Sequence, residues 1–177
     1  MMEEQIRWIL KRRSIRRFQD RPVEEEKIKA ILQAAMAAPS AANRQPWHFI
    51  TVTDRDKLDQ MADIHPYARM LKEAPLCFVV CGDPEEARSK NSGLSYWVQD
   101  CSAAMQNLLL GVSSLDLGGV WLGVHPNEER EKLIKDLLKI PHPIRPLGLA
   151  AVGYPQEKKD PNTYYREERV HREFFEG

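Results

Sequence analysis

The chain has 177 residues, enough for one compact domain or one subunit of a compact oligomer. It is 42% hydrophobic and 29% charged, a balance that supports a folded core and argues against disorder. Lys plus Arg and Asp plus Glu cancel at 26 each, so no overall field recruits nucleic acid or an anionic membrane; any anion must be held by local clustering.

The opening stretch MMEEQIRWIL is acidic and lacks an apolar core followed by small residues, so no signal peptide is expected. It reads as a helix from Glu3 to Lys11, with Ile6, Ile9 and Leu10 on one side. The basic loop KRRSIRRFQDRPV follows. A second helix spans Val23 to Ala37, where Ile28, Ile31, Leu32, Ala35 and Met36 keep helical spacing until Pro39 stops it. Trp47 to Thr53 predicts a strand, and Asp54 the cap of the next helix. Leu76 to Gly82 is apolar throughout, which reads as a strand buried on both faces. Asp83 to Gly93 reads as a mobile polar connection.

The longest helix is expected from Leu94 to about Ser113, with Trp97, Cys101, Ala104, Met105, Leu108, Leu109 and Val112 in one wide apolar stripe. Its other side, with Ala103, Gln106, Asn107 and Leu110, is only half polar, so it too should be covered. The most apolar region, Leu108 to Val124, is broken by Ser113, Ser114 and Asp116 and is too short for a membrane span. Gly118 to Val124 gives a third strand, Asn127 caps a helix to Leu138, and Pro146 to Pro155 gives a fourth strand. The tail from Gln156 to Gly177 is charged and aromatic, too poor in core residues to fold alone, and is expected to pack on a partner subunit.

Four strands separated by helices fit an α/β or an α+β single domain over 1–177 and leave the choice open. A dinucleotide-binding fold would place a glycine-rich turn after the first strand, where Thr53, Asp54, Arg55 and Asp56 stand instead. Cys77, Cys81 and Cys101 are odd in number, and two lie in apolar runs, which suits buried free thiols in a reducing cytoplasm. The five histidines show no paired ligand spacing, so no metal site is expected.

Three stretches carry candidate chemistry. Arg12, Arg13, Ser14, Arg16 and Arg17 put four guanidinium groups and a hydroxyl within six residues, and forked donors match phosphate oxygens. The same stretch would serve as a solvated basic patch or a phosphorylation target. APSAANRQPWHF combines small residues, which let a backbone approach something flat, with amides that fix what approaches; it also reads as an ordinary helix-to-strand connection. DLGGVWLGV sets glycines around a strand, either for a turn or so that backbone amides can meet a flat ring. No carboxylate pair and no Ser-His-Asp set stands out.

Taken in order, RRSIRRF, APSAANRQPWHF, QDCSAAMQNLLL and LGGVWLG resemble the nitroreductase family of FMN-dependent oxidoreductases over almost the whole chain. The resemblance implies an α+β fold with a mostly antiparallel central sheet flanked by helices, and an intertwined homodimer with FMN at its interface. It implies that Arg12, Arg13, Ser14 and Arg16 hold the phosphate and ribityl chain. Pro39, Ser40, Ala41 and Asn43 of the other subunit would line the isoalloxazine ring, with Leu122 and Gly123 offering amides near flavin N5 and O4. The family often carries another phosphate-binding cation a few residues before a Val-His pair. Here that pair is Val170-His171, the expected position falls near Tyr164, and either Arg166 or Lys159 would substitute or the phosphate would have one fewer partner. The implied activity passes two electrons from NADH or NADPH through FMN to a small organic acceptor, such as a nitroaromatic, quinone, enone or flavin. No side-chain acid or base is required. Segments 65–72 and 83–93 would form the lid that selects the acceptor. The alternatives are a flavin-binding sensor or carrier without efficient turnover, and a non-redox module that binds phosphoproteins.

Overall fold

A computed structural model of the chain describes residues 2–175. Its sheet contains β1 (Trp47–Val52), β2 (Leu76–Gly82), β3 (Gly118–Gly123) and β4 (Arg145–Gly153). The strands lie in the order β1-β2-β4-β3, and every pairing is antiparallel. Five helices surround them: α1 (Met2–Lys11), α2 (Glu25–Met36), α3 (Arg55–Ile64), α4 (Trp97–Ser114) and α5 (Glu128–Leu138). The fold is therefore α+β, the alternative that element order alone left open.

The unbroken apolar run of β2 is explained by helices on both faces. Leu76, Phe78 and Val80 pack with Ile28 and Ile31 of α2 and the Trp97-to-Val112 stripe of α4. Cys77, Val79 and Cys81 pack on the other side with Leu58 and Met61 of α3 and Ile134 of α5. Period-two alternation in one central strand thus feeds two cores. Fully buried side chains such as Phe78 and Leu149 each contribute about 1.5–3 kcal/mol through the area they remove from water.

Two helix starts follow directly from capping chemistry. Asp54 Oδ1 accepts from the Lys57 amide at 3.0 Å, and Asn127 Oδ1 accepts from the Arg130 amide at 2.8 Å. The α4 start differs from expectation: the helix begins at Trp97, and Leu94 lies outside it, 59% exposed. Residues 94–96 are held instead by the preceding loop. Ser89 N donates to Leu94 O at 2.7 Å, and Ser95 Oγ donates to Pro84 O at 2.6 Å. Tertiary hydrogen bonds win over local helix periodicity there.

The half-polar flank of α4 is covered in part by α2 of the same chain. Asn107 Nδ2 donates to Ala34 O at 3.2 Å, and a Cβ on Gly111 would lie 3.2 Å from the Ala34 methyl. Segment 65–72 does not form a free lid: His65, Ala68, Met70 and Leu71 are all buried. The first part of the tail lies on its own chain rather than reaching away. Gln156 N donates to Arg17 O, and Asn162 N donates to Leu10 O, both at 2.9 Å. Residues 161–170 are exposed throughout.

The seam between β2 and α4 is closely packed at Gly82. A Cβ on Gly82 would sit 2.6 Å from Cys101 Sγ and 2.8 Å from Trp97 Cε3, whereas one on Gly123 would meet nothing closer than His125 O at 4.0 Å. Gly82→Ala should therefore cost about 1–3 kcal/mol through overpacking. Gly123→Ala should stay within about 0.5 kcal/mol of the parent protein. Thermal melts of the two variants check this, and equal midpoints would refute the packing account.

Candidate functional site

Strand β3 forms one edge of the sheet. Val124 N donates to Leu147 O at 3.1 Å, which marks residues 124 and 147 as a hydrogen-bonded pair. Antiparallel pairing alternates, so Leu122 also spends its N–H and C=O on β4, while Gly119 and Gly123 point theirs outward. Contacts at the edge agree. Ile15 N donates to Gly119 O at 3.0 Å, and Gly123 O accepts from outside the sheet. Leu122 was expected to offer an amide beside Gly123. The ladder takes that amide, and its side chain is buried against α3 and α5. Trp121 and Gly123 thus both face an N–H outward, and Gly123 does so with no side chain to crowd what it meets.

The same edge carries the basic loop. Ser14 bridges to Gly119, which fixes the loop beside the strand. Arg12, Arg13, Lys11 and Lys159 line a cavity of about 430 Å³ together with Asp116 and Glu157. Lys159 Nζ donates to Ser14 O at 2.7 Å, and the Arg13 guanidinium donates to Asp160 O. The Arg16 amide donates to Glu157 Oε1 at 2.6 Å, and Lys159 lies 3.4 Å from the same oxygen. The Arg16 amide, more than the lysine, holds the Glu157 carboxyl below its ordinary range. The loop thus already supports one anion of its own. The side chains of Arg12 and Arg16 have no hydrogen-bond partner among the described residues. Of the two C-terminal cations considered, Lys159 reaches this loop; Arg166 sits at the start of a short turn in the exposed tail.

The 39–45 loop lies elsewhere. Ala41 and Ala42 line a second cavity of about 370 Å³ with Arg44, Ala87, Ser89 and Tyr96. Ala42, Asn43 and Gln45 all adopt left-handed backbone, with φ of 51°, 53° and 52°. Each costs a non-glycine residue about 1–2 kcal/mol, so the shape is imposed by contacts. Ser40 supplies two: Asn43 N donates to Ser40 O and Gln45 N to Ser40 Oγ, both at 3.0 Å. Ala41 N donates to Asp100 Oδ1 at 2.8 Å. Pro39 is exposed and Ser40 half-buried at the loop's entry. Within one chain, then, the basic loop and the 39–45 loop line different cavities, and Leu122 and Gly123 line neither.

Two residues not singled out from sequence hold Gly123 in place. His65, 2% exposed, lies with Nε2 2.8 Å from Gly123 O, and Arg130 Nη1 donates to that oxygen at 2.8 Å. Tyr67 N donates to His65 Nδ1 at 3.2 Å, so Nδ1 is the acceptor, Nε2–H is the donor, and the ring is neutral. Just beyond, His125 Nδ1 lies 2.7 Å from Glu131 Oε1, and Arg145 Nε donates to Glu131 Oε2 at 2.9 Å. This pins α5 and the start of β4 to the end of β3, with the buried Glu131 charge paired. Among the described residues no cluster suits a metal ion.

A sequence model of the nitroreductase family matches residues 9–65 and 64–154. A protein of Archaeoglobus fulgidus, provisionally named NADH dehydrogenase/NAD(P)H nitroreductase, is 45% identical over 175 residues, covering 97% of this chain and 99% of that one. A crystal structure under the same provisional name, from Parabacteroides distasonis, superposes with a TM-score of 0.90 at 44% identity, covering 97% and 99% of the two chains. A nitroreductase from Desulfovibrio desulfuricans, provisionally assigned and solved in complex with FMN, superposes with a TM-score of 0.78 at 30% identity, covering 97% of each. The chain belongs to the nitroreductase family.

Burial, and after it the nearby Arg130 charge, lowers the His65 pKa from its ordinary 6.5. On acidification the unfolded chain binds this proton before the folded one does. The stability that neutral His65 contributes is thus complete above pH 6.5 and is lost as pH falls below it. The melting temperature should drop on acidification from that point, and His65→Gln should flatten that part of the profile. An unchanged profile in the variant would show that another group carries the dependence.

Proposed function

We propose that this protein is an FMN-dependent oxidoreductase that passes two electrons from NADH or NADPH to a small organic acceptor. The observation that carries this reading is the β3 edge: a basic loop with uncommitted Arg12 and Arg16 at Gly119, and an outward, uncrowded N–H at Gly123. These donors suit the two ends of FMN. Arg12 and Arg16 match phosphate oxygens as forked donors, with Arg13, Ser14 and Lys159 fixing the loop around them. Gly123 offers a hydrogen bond to the N5–O4 side of a flat ring, and Ala41 can pack on that ring without blocking it. FMN bound there supplies hydride acceptance from the nicotinamide and return of the electrons to the acceptor. The names of the relatives support both the nucleotide and the flavin.

A homodimer completes the site in this reading. Arg12, Arg13, Ser14, Arg16, Lys159 and Gly123 come from one chain, and Pro39, Ser40, Ala41 and Asn43 from its partner. Three features favour it. The two loops line separate cavities within one chain. Helix α1 exposes Ile6, Trp8 and Ile9, at 48%, 49% and 39%. The tail leaves Tyr164, Tyr165, Phe174 and Phe175 uncovered, apolar area that a second copy would bury. Nitroaromatics, quinones, enones and free flavins form the acceptor class. No helix among the described residues is long and apolar enough to cross a membrane.

Purified protein should be yellow or take up FMN, and should bleach with NADH or NADPH without oxygen, then recover colour with a quinone or nitroaromatic. Protein that cannot be loaded with FMN would overturn the proposal, and loaded protein that does not bleach would favour a carrier. The shared site is tested by refolding together two inactive variants, R12A/R16A and N43D. Random mixing should restore about a quarter of all sites, because each mixed dimer holds one site with both defects and one with none. Activity that stays at the level of the separate variants, with mixed dimers present, would mean that each site is built within one chain.

Arg16→Ala should weaken FMN binding by about ten- to a hundredfold, the worth of a hydrogen bond to a charged group. Arg17→Ala serves as the comparison, because its backbone rather than its side chain is engaged, with Arg17 O accepting from Gln156 N. Equal losses, measured by flavin titration, would sink the assignment of Arg16.

A further inference from the structure

Asp100 stands in the first turn of α4, within the apolar stripe that faces the sheet, and is 5% exposed. Its Oδ1 accepts the Ala41 amide at 2.8 Å, but its Oδ2 is buried and has no hydrogen-bond partner. Among the described residues no cation pairs with it. Its immediate neighbour is the buried thiol of Cys101, whose pKa burial raises, with the Asp100 charge adding to the shift. Besides the Ala41 amide, the positive end of the α4 backbone dipole compensates this carboxylate. A half-satisfied carboxylate in an apolar core lowers stability, so its presence needs a reason outside folding.

The geometry points to that reason: we propose that Asp100 is a positioning residue for the ring-binding loop, a role that rests on the flavin reading above. The Ala41 amide is the last backbone donor before Ala42, Asn43 and Gln45 turn into left-handed conformation. The contacts within the loop, through Ser40, move with the loop itself. Asp100 ties the loop to the rigid helix that also carries Trp97 and Cys101 against β2. A charge-assisted bond from a helix fixes where Ala41 and Asn43 sit more firmly than a neutral one would. Asp100 thus acts through the loop and need not touch the flavin.

The test compares Asp100→Ala and Asp100→Asn with the parent protein in two measurements. The first is amide hydrogen exchange in protein free of FMN. Asp100→Ala should speed exchange about tenfold or more in the peptide that spans residues 40–46, and leave β2 and the rest of α4 protected. Asp100→Asn retains an oxygen for Ala41 and should restore most of that protection. The second is FMN titration with a thermal melt. Asp100→Ala should weaken FMN about ten- to a hundredfold while the flavin-free melting temperature falls by no more than about 2 °C. Asp100→Asn should recover most of the affinity and melt at or above the parent temperature. Unchanged exchange in the loop, or faster exchange spread through α4 and β2 with a collapse of the melting temperature, would overturn the proposal; so would unaltered affinity in Asp100→Ala. If Asp100→Ala fails to fold, Asp100→Asn decides alone. Affinity and loop protection near parental values, with an equal or raised melting temperature, support positioning; a lowered melting temperature makes Asp100 a structural residue. Failure of the parent protein to bind FMN would count against the flavin reading, and the exchange data would still decide whether Asp100 holds the loop.

Discussion

Backbone polar groups at the edge of a sheet must find partners or meet water, and the outer edge of β3 organises this structure around that need. Ile15 satisfies Gly119 and thereby docks the basic loop. His65 and Arg130 satisfy the Gly123 carbonyl from two different elements. The Gly123 N–H is left aimed outward with space in front of it. The supporting groups are buried or anchored, so this donor is held in position before anything binds to it. Catalysis by a bound cofactor benefits from such fixed dipoles, because no reorganisation is needed when charge moves.

Much of the scaffold was legible in the sequence. The apolar run of β2, the caps at Asp54 and Asn127 and the wide stripe on α4 each report local physics that the tertiary structure keeps. Strand direction was not legible from these elements. An apolar run says only that both faces are covered, and α2, α3, α4 and α5 cover an antiparallel sheet as completely as they would a parallel one. The α4 start was misjudged because its competitor, the hydrogen bonding of 94–96 to the loop before it, is tertiary.

Legibility of the site divides along the same line. Clustered arginines, small residues before an amide, and glycines around a strand are compositional, and they stood out. The parity that spends Leu122 on β4 and frees Gly123 depends on the register with Gly148 and Leu149, which one strand does not encode. His65 and Arg130 approach Gly123 from positions 58 and 7 residues away in sequence. Asp100 did leave a trace: it shares the helical face of Trp97 and Ala104, where an unpaired carboxylate is out of place. Buried polar residues at apolar spacing repay attention even where no motif surrounds them.

The three cysteines bear on what this protein could survive while working. Cys81 and Cys101 are pushed up to about 12, and Cys77 higher still, in each case chiefly by burial. Burial thus holds these thiols in the protonated form, and thiolate is the reactive one. Electrophiles such as quinones react with thiolates by forming a carbon–sulfur bond. All three thiols lie packed within the sheet–helix cores, out of reach of such electrophiles at the surface.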